Sequence, residues 1–261
     1  MADIITEQSE SILRVVLNRP AKKNAMTSGM YVALADVFND AAKDERIRVV
    51  LWHGAGDSFC AGNDVEDFLK NPPGPGESPQ AQLMNALINL DKPLVAAVQG
   101  AAIGGGTTML THCDFVYAGE SAKFQMPFIN LAVVPEFGSS CTVPARIGHI
   151  RAAELILLGL PFDAQRALDL GFVTQVVPDQ KLLPTATETT RTLAAKPAGA
   201  LQASKRLMKR PFREQLKAAM KAENGEFSAQ VRSEDAKEAL TAFLEKRRPD
   251  FTRSSTSATA A

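Results

Sequence analysis

Short aliphatic and β-branched runs alternate with helical periods over roughly the first 140 residues, and helical periods dominate beyond that point. Residues 12–17 (ILRVVL), 48–53 (RVVLWH), 94–98 (LVAAV) and 114–118 (DFVYA) have strand character, each bounded by turn formers. Between them, residues 28–42 place Met30, Leu34, Val37, Phe38 and Ala41 on one helical face, and 80–90 align Leu83, Leu87 and Leu90. Further helices are expected at 149–158, 163–169, 180–194, 200–209, 213–228 and 233–246. That order is the pattern of an α/β core followed by a helical lobe. The stretch NPPGPGESP at 71–79 reads as an exposed, mobile loop.

A chain of 261 residues can bury a large single core without disulfides or a structural metal. Basic and acidic residues balance at 29 each, which argues against a nucleic-acid partner. Cys60, Cys113 and Cys141 are odd in number and widely spaced, so neither a disulfide framework nor a metal site is expected. A reducing, cytoplasmic setting fits that usage. The first twenty residues carry early acids and a short apolar run, unlike a signal peptide. No apolar stretch has the length of a membrane span.

Two glycine-containing segments stand out. Phe59-Cys60-Ala61-Gly62-Asn63-Asp64 follows the second strand run, and Gln99 to Gly106 (QGAAIGGG) joins the third to a helix. Glycine at such junctions lets backbone N–H groups face an anionic ligand. Two junctions that converge would make a two-donor oxyanion hole. Taken singly, each is equally a tight turn that needs positive φ.

Together these segments resemble the crotonase (enoyl-CoA hydratase/isomerase) superfamily. The resemblance also takes in LNRPAKKNAM at 17–26, CDFVYAGESAKFQMPF at 113–128, NLAVVPEFGSS at 130–140, LGLPFDAQRALDLGFVTQVV at 158–177 and EKRRPDF at 245–251. It implies a ClpP-like spiral of ββα units over residues 1–200, a helical trimerisation region at 201–251 and a flexible tail at 252–261. It also implies a homotrimer or dimer of trimers, with an acyl-CoA thioester as substrate and no separate cofactor.

The resemblance assigns the oxyanion donors to the backbone N–H groups of Asn63 and Gly105. Hydratases of this kind use two glutamates, and the corresponding positions here are Thr108 and Phe128. Neither residue can move a proton. Glu136, in VPEFGS, matches instead the proton-shuttling glutamate of delta-3, delta-2-enoyl-CoA isomerases. Phe128, Val133, Val134 and Phe137 flank it and are expected to raise its pKa by desolvation. Substrate contacts are expected from Lys22, Ala25, Ala61, Asp64, Val65, Phe128, Phe243 and Lys246.

Structural readings stand beside several of these. Asp64 is expected to cap a helix, and Ser139 and Ser140 to do the same. His53, His112 and His149 read as structural or surface residues, and Cys60 as a small buried one. The runs Lys205-Arg206 and Lys246-Arg247-Arg248 read as solvated faces. Two alternatives to isomerisation remain open. One is hydration or thioester hydrolysis using Asp64, Glu66 or Asp67, and the other is CoA binding without catalysis.

Overall fold

Nine strands and eleven helices follow one another along residues 2–70 and 77–252, the part described by this computed structural model. The strands are β1 (Ile4–Ser9), β2 (Ile12–Leu17), β3 (Val49–Gly54), β4 (Leu94–Val98), β5 (Ala101–Ile103), β6 (Phe115–Gly119), β7 (Lys123–Gln125), β8 (Phe162–Asp163) and β9 (Gln175–Val177). In the first half the helices are α1 (Ser28–Lys43), α2 (Val65–Lys70), α3 (Pro79–Asn89), α4 (Gly105–Thr108) and α5 (Ser139–Ile147). The second half holds α6 (His149–Leu157), α7 (Ala164–Asp169), α8 (Asp179–Ala194), α9 (Ala198–Lys209), α10 (Arg213–Gln230) and α11 (Glu234–Leu244).

Six strands form the main sheet in the order β1-β2-β3-β4-β6-β9, parallel throughout except for the β1–β2 hairpin. Every residue of β3 and β4 is buried, as expected of inner strands of a parallel sheet covered on both faces. A second sheet, β5-β7-β8, lies beyond the carboxyl ends of these strands in chain order. Single bridges Met26–Asn63 and Cys60–Ala102 extend it. After β2, β3, β4 and β6, the chain thus lays a short extended segment into this second layer before its next helix. The glycine segments are two of those rungs.

Sequence periodicity locates the long helices to within about two residues. It misses β1, β5, β7, β8 and β9, most of which are too short to show an alternation. It also misses α5, where Pro144 reads as a breaker. The loop expected at 71–79 lies outside the described residues from 71 to 76, and the tail expected at 252–261 does so from 253 onward.

α1 starts where the Thr27 hydroxyl accepts from Met30 N, and it buries Met30, Tyr31, Leu34, Ala35, Phe38 and Ala41. Trp52 of β3 packs edge-on between Phe38 and Phe59, which ties α1, the sheet and the first glycine segment into one core. Lys205, read from sequence as solvated, is buried. Its ammonium donates to Lys92 O (2.8 Å) and pairs with Asp114 (2.6 Å), so the charge is compensated inside the fold. Its neighbour Arg206 does reach solvent, beside Asp91.

Candidate active site

The two glycine segments meet main chain to main chain. Cys60 N donates to Ala101 O and Ile103 N to Cys60 O, both at 2.9 Å. On the outer sides, Met26 N donates to Gly62 O (2.8 Å) and Gly104 N to Gln125 O (2.9 Å). Glycine is required where the rungs pack. Gly62 has φ 88°, and a Cβ there would stand 2.8 Å from Ile103 O; a Cβ on Gly106 would collide with the Cys60 carbonyl. The N–H groups of Asn63 and Gly105, one from each segment, have no acceptor among the described residues. Both residues line a cavity of about 480 Å³.

Glu136 lines the same cavity, close to Gly105. It is buried, and its Oε1 lies only 2.9 Å from the place a Cβ on Gly105 would occupy. Burial, and then the charge of Glu223, push its carboxyl pKa up to about 8. The turn that presents it contains two left-handed residues in succession, Phe137 (φ 60°) and Gly138 (φ 69°). A left-handed phenylalanine is strained by about 1–3 kcal/mol and persists only where its surroundings impose it. Here the His112 ring donates from Nε2 to Phe137 O at 2.7 Å. Burial pushes that imidazole down to about 4, so it is a neutral donor.

Tyr31 of α1 completes the cluster, and sequence periodicity had given it no role. Its phenol donates to Asn63 Oδ1 at 2.6 Å and lies beside Gly105, while its ring sits 6.1 Å from that of Phe137. Burial, with Glu136 and Cys60 nearby, holds the phenol well above its usual range, so it remains a hydroxyl donor. Burial likewise pushes the Cys60 thiol up to about 12, which leaves no thiolate nucleophile.

Of the substrate contacts expected from sequence, Ala61, Val65, Phe128 and Phe243 line the cavity. Lys22, Ala25, Asp64 and Lys246 do not. Lys22 is exposed beside Glu66 (3.7 Å), and the Ala25 carbonyl accepts from Arg19. Asp64 pairs with Arg19 (2.8 Å) and accepts from Asp67 N, capping α2. Its bonds to Asp67, Arg19 and Glu66 outweigh partial burial and hold its pKa below the usual carboxylate range. Lys246 is exposed, at φ 55°, just beyond α11. Neither Ser139 nor Ser140 caps α5 with its side chain, contrary to the sequence expectation. Gly138 occupies the cap position, and a carboxylate from α10, Glu223, accepts from the free N–H groups.

Thr108 and Phe128, at the two hydratase glutamate positions, carry no group that can act as a general acid or base near neutral pH. Thr108 is buried with its hydroxyl on the Gly104 carbonyl, and Phe128 is part of the apolar wall. Among the described residues no cluster of three or more metal-ligating side chains occurs, and no helix is long and apolar enough to cross a membrane.

Residues 7–254 match the family model described as enoyl-CoA hydratase/isomerase. The chain belongs to that family. It is similar to 2,3-dehydroadipyl-CoA hydratase of Escherichia coli strain K12, with 32% identity over 96% of this chain and 99% of that protein. It is equally similar to enoyl-CoA delta isomerase 2 of Rattus norvegicus, with 32% identity over 94% of this chain and 64% of that protein. A solved enoyl-CoA hydratase/isomerase from Pseudoalteromonas atlantica T6c shares 37% identity, covers 96% of this chain and 100% of its own, and superposes with a TM-score of 0.92. The fold is therefore the crotonase fold, and the protein is a family enzyme acting on CoA thioesters. Equal identity to a hydratase and an isomerase leaves the choice of reaction to the residues in the cavity.

Proposed function

We propose that the protein shifts the double bond of a 3-enoyl-CoA to the 2-position. The observation that carries this reading is that Glu136 is the one carboxylate lining the cavity among the described residues. Isomerisation needs a single base. Glu136 takes the proton from C2, the thioester becomes an enolate, and the same carboxyl returns the proton at C4. Nothing is added or lost. The enolate oxygen is held by the N–H groups of Asn63 and Gly105, and one such donor is worth roughly 3 kcal/mol in the transition state. A carboxyl pKa of about 8 makes Glu136 a stronger base than an exposed glutamate.

Hydration by the two-carboxylate route needs two acids, and the cavity lining holds one carboxylate. Asp64, Glu66 and Asp67 do not supply a second, because none of them lines the cavity, and Asp64 and Asp67 are held by Arg19 and Ser28. A homotrimer or dimer of trimers is the assembly the family resemblance implies, exposed apolar side chains such as Leu157, Leu207 and Met208 are available to an interface, and light scattering reads the state directly.

The test is turnover of 3-enoyl-CoA by wild type and by Glu136→Gln, followed by absorbance of the conjugated 2-enoyl product. Conjugation in wild type that is lost in the variant, with CoA binding retained, is the expected result. Absence of conjugation with wild type across short and long acyl chains sinks the isomerase reading. Solvent-derived oxygen in the product would replace it with hydration.

A further inference from the structure

α10 presents one stripe to the Glu136 turn. Leu216, Met220, Glu223 and Phe227 recur at helical spacing, and each reaches the site. A Cβ on Gly138 would collide with Leu216 and lie 3.4 Å from Met220, so the helix packs directly on the turn. Glu223 is buried, and both of its oxygens are used: Oε2 accepts from Gly138 N (2.7 Å) and Oε1 from Ser140 N (2.8 Å). With Glu136 it lines a second cavity of about 400 Å³, whose lining includes neither Asn63 nor Gly105.

We propose that Glu223 is a positioning residue, which clamps the Glu136 turn from α10 and sets the charge beside the base. This rests on the reading of Glu136 as the proton-transfer group. The clamp explains how a turn with a left-handed Phe137 keeps one geometry: His112 fixes the carbonyl of residue 137, and Glu223 fixes the N–H of residue 138. The charge explains why Glu136 is a stronger base than burial alone would make it, since a carboxylate close by disfavours a second negative charge. Burial raises the pKa of Glu223 as well, and its bonds to Ser140 and Gly138 offset part of that rise. The other titratable groups beside Glu136 or lining its two cavities are Tyr31 of α1, Cys60 from the first glycine segment, His112 on the Phe137 carbonyl, Glu77 ahead of α3, Lys217 and Lys221 of α10, and Arg247 beyond α11. Of these charged neighbours, Glu223 is the one whose charge shifts the Glu136 carboxyl.

The test is a titration of the Glu136 carboxyl itself by carbon NMR on glutamate-labelled protein, its signal assigned by its loss in Glu136→Gln. This reads Glu223 whether or not 3-enoyl-CoA is the substrate, so failure of the isomerase assay and failure of this inference are distinct results. Glu223→Gln keeps the length and one acceptor but removes the charge. The Glu136 midpoint is expected to fall from about 8 by roughly half a unit or more, while Glu223→Asp stays nearer wild type. A midpoint unmoved in Glu223→Gln overturns the inference. If that variant does not fold, wild type alone decides. Two inflections in the Glu136 signal, one tracking the ionisation of Glu223, support the coupling, and a single inflection refutes it.

Discussion

The two glycine segments and the Glu136 turn line one cavity, yet they are held by different means. The segments at 60–64 and 100–106 are stitched by backbone hydrogen bonds to one another and to their neighbours in the second sheet. The Glu136 turn has one backbone bond, Ser139 N to Glu136 O, and is otherwise held by side chains, His112 on the Phe137 carbonyl and Glu223 on the N–H groups of Gly138 and Ser140. A main-chain device tolerates changes of side chain and fails when a Cβ intrudes. A turn gripped by side chains should be sensitive to substitutions far away in sequence. The two halves of the site should therefore break under different mutations.

The largest effect is expected on the turn. Removing the base in Glu136→Gln should lower turnover of 3-enoyl-CoA by about 10³-fold, within the usual range for general acid–base catalysis. The fold should survive, because glutamine has the same shape. Steady-state kinetics on variant and wild type measure this, and a loss under tenfold would remove Glu136 from proton transfer. On the other half, Gly106→Ala should destabilise the fold by about 1–3 kcal/mol, since the new methyl group meets the Cys60 carbonyl rather than a yielding side chain. Urea unfolding reads the change. An unaltered midpoint would mean that the two segments can separate without cost.

The same contrast explains what could be read from the sequence. Gly62 and Gly104 adopt positive φ, and Gly106 packs on the Cys60 carbonyl, so glycine marks these segments in the chain itself. The long helices are visible for a similar reason, because their apolar period is local. Glu136 is singled out in the sequence only by its likeness to a family motif. Its support was hidden, since Glu223 lies 85 residues from Gly138 and nothing in the α10 pattern distinguishes a clamping carboxylate from a surface one. Lys205 was misjudged for the same reason, its partner Asp114 being 91 residues away. Tyr31 sits beside the apolar stripe of α1, and only the fold brings its hydroxyl to Asn63.

A smaller effect concerns pH. Glu136 keeps its proton up to about 8 in the folded protein, against an ordinary value of 4.5. Between those values the unfolded chain binds fewer protons at this site, so its contribution to stability falls as pH rises. Turnover should move the other way, rising towards and through pH of about 8 as the base becomes anionic. Glu136→Gln lacks this titration. Its melting temperature relative to wild type should therefore climb between pH 5 and 8 (roughly the window in which the two states differ). A constant difference across that window would show that Glu136 ionises like an exposed carboxylate.

The smallest effect tests whether the first half is built from main chain alone. Tyr31→Phe removes one hydrogen bond to the Asn63 side chain and leaves the ring packed against Phe137. About 1 kcal/mol of stability should be lost, the usual net value of such a bond. Turnover should fall by no more than about tenfold, because roughly 1.4 kcal/mol is the most a bond of that kind would take from the transition state. The reason for so mild a loss is that the Asn63 N–H is aimed by its neighbours in the ladder: Met26 N on Gly62 O, and Asp64 N on Met26 O. A kinetic loss approaching that of Glu136→Gln would contradict this directly. It would place the phenol in the proton transfer, and the oxyanion half would then depend on a side chain as much as the Glu136 turn does.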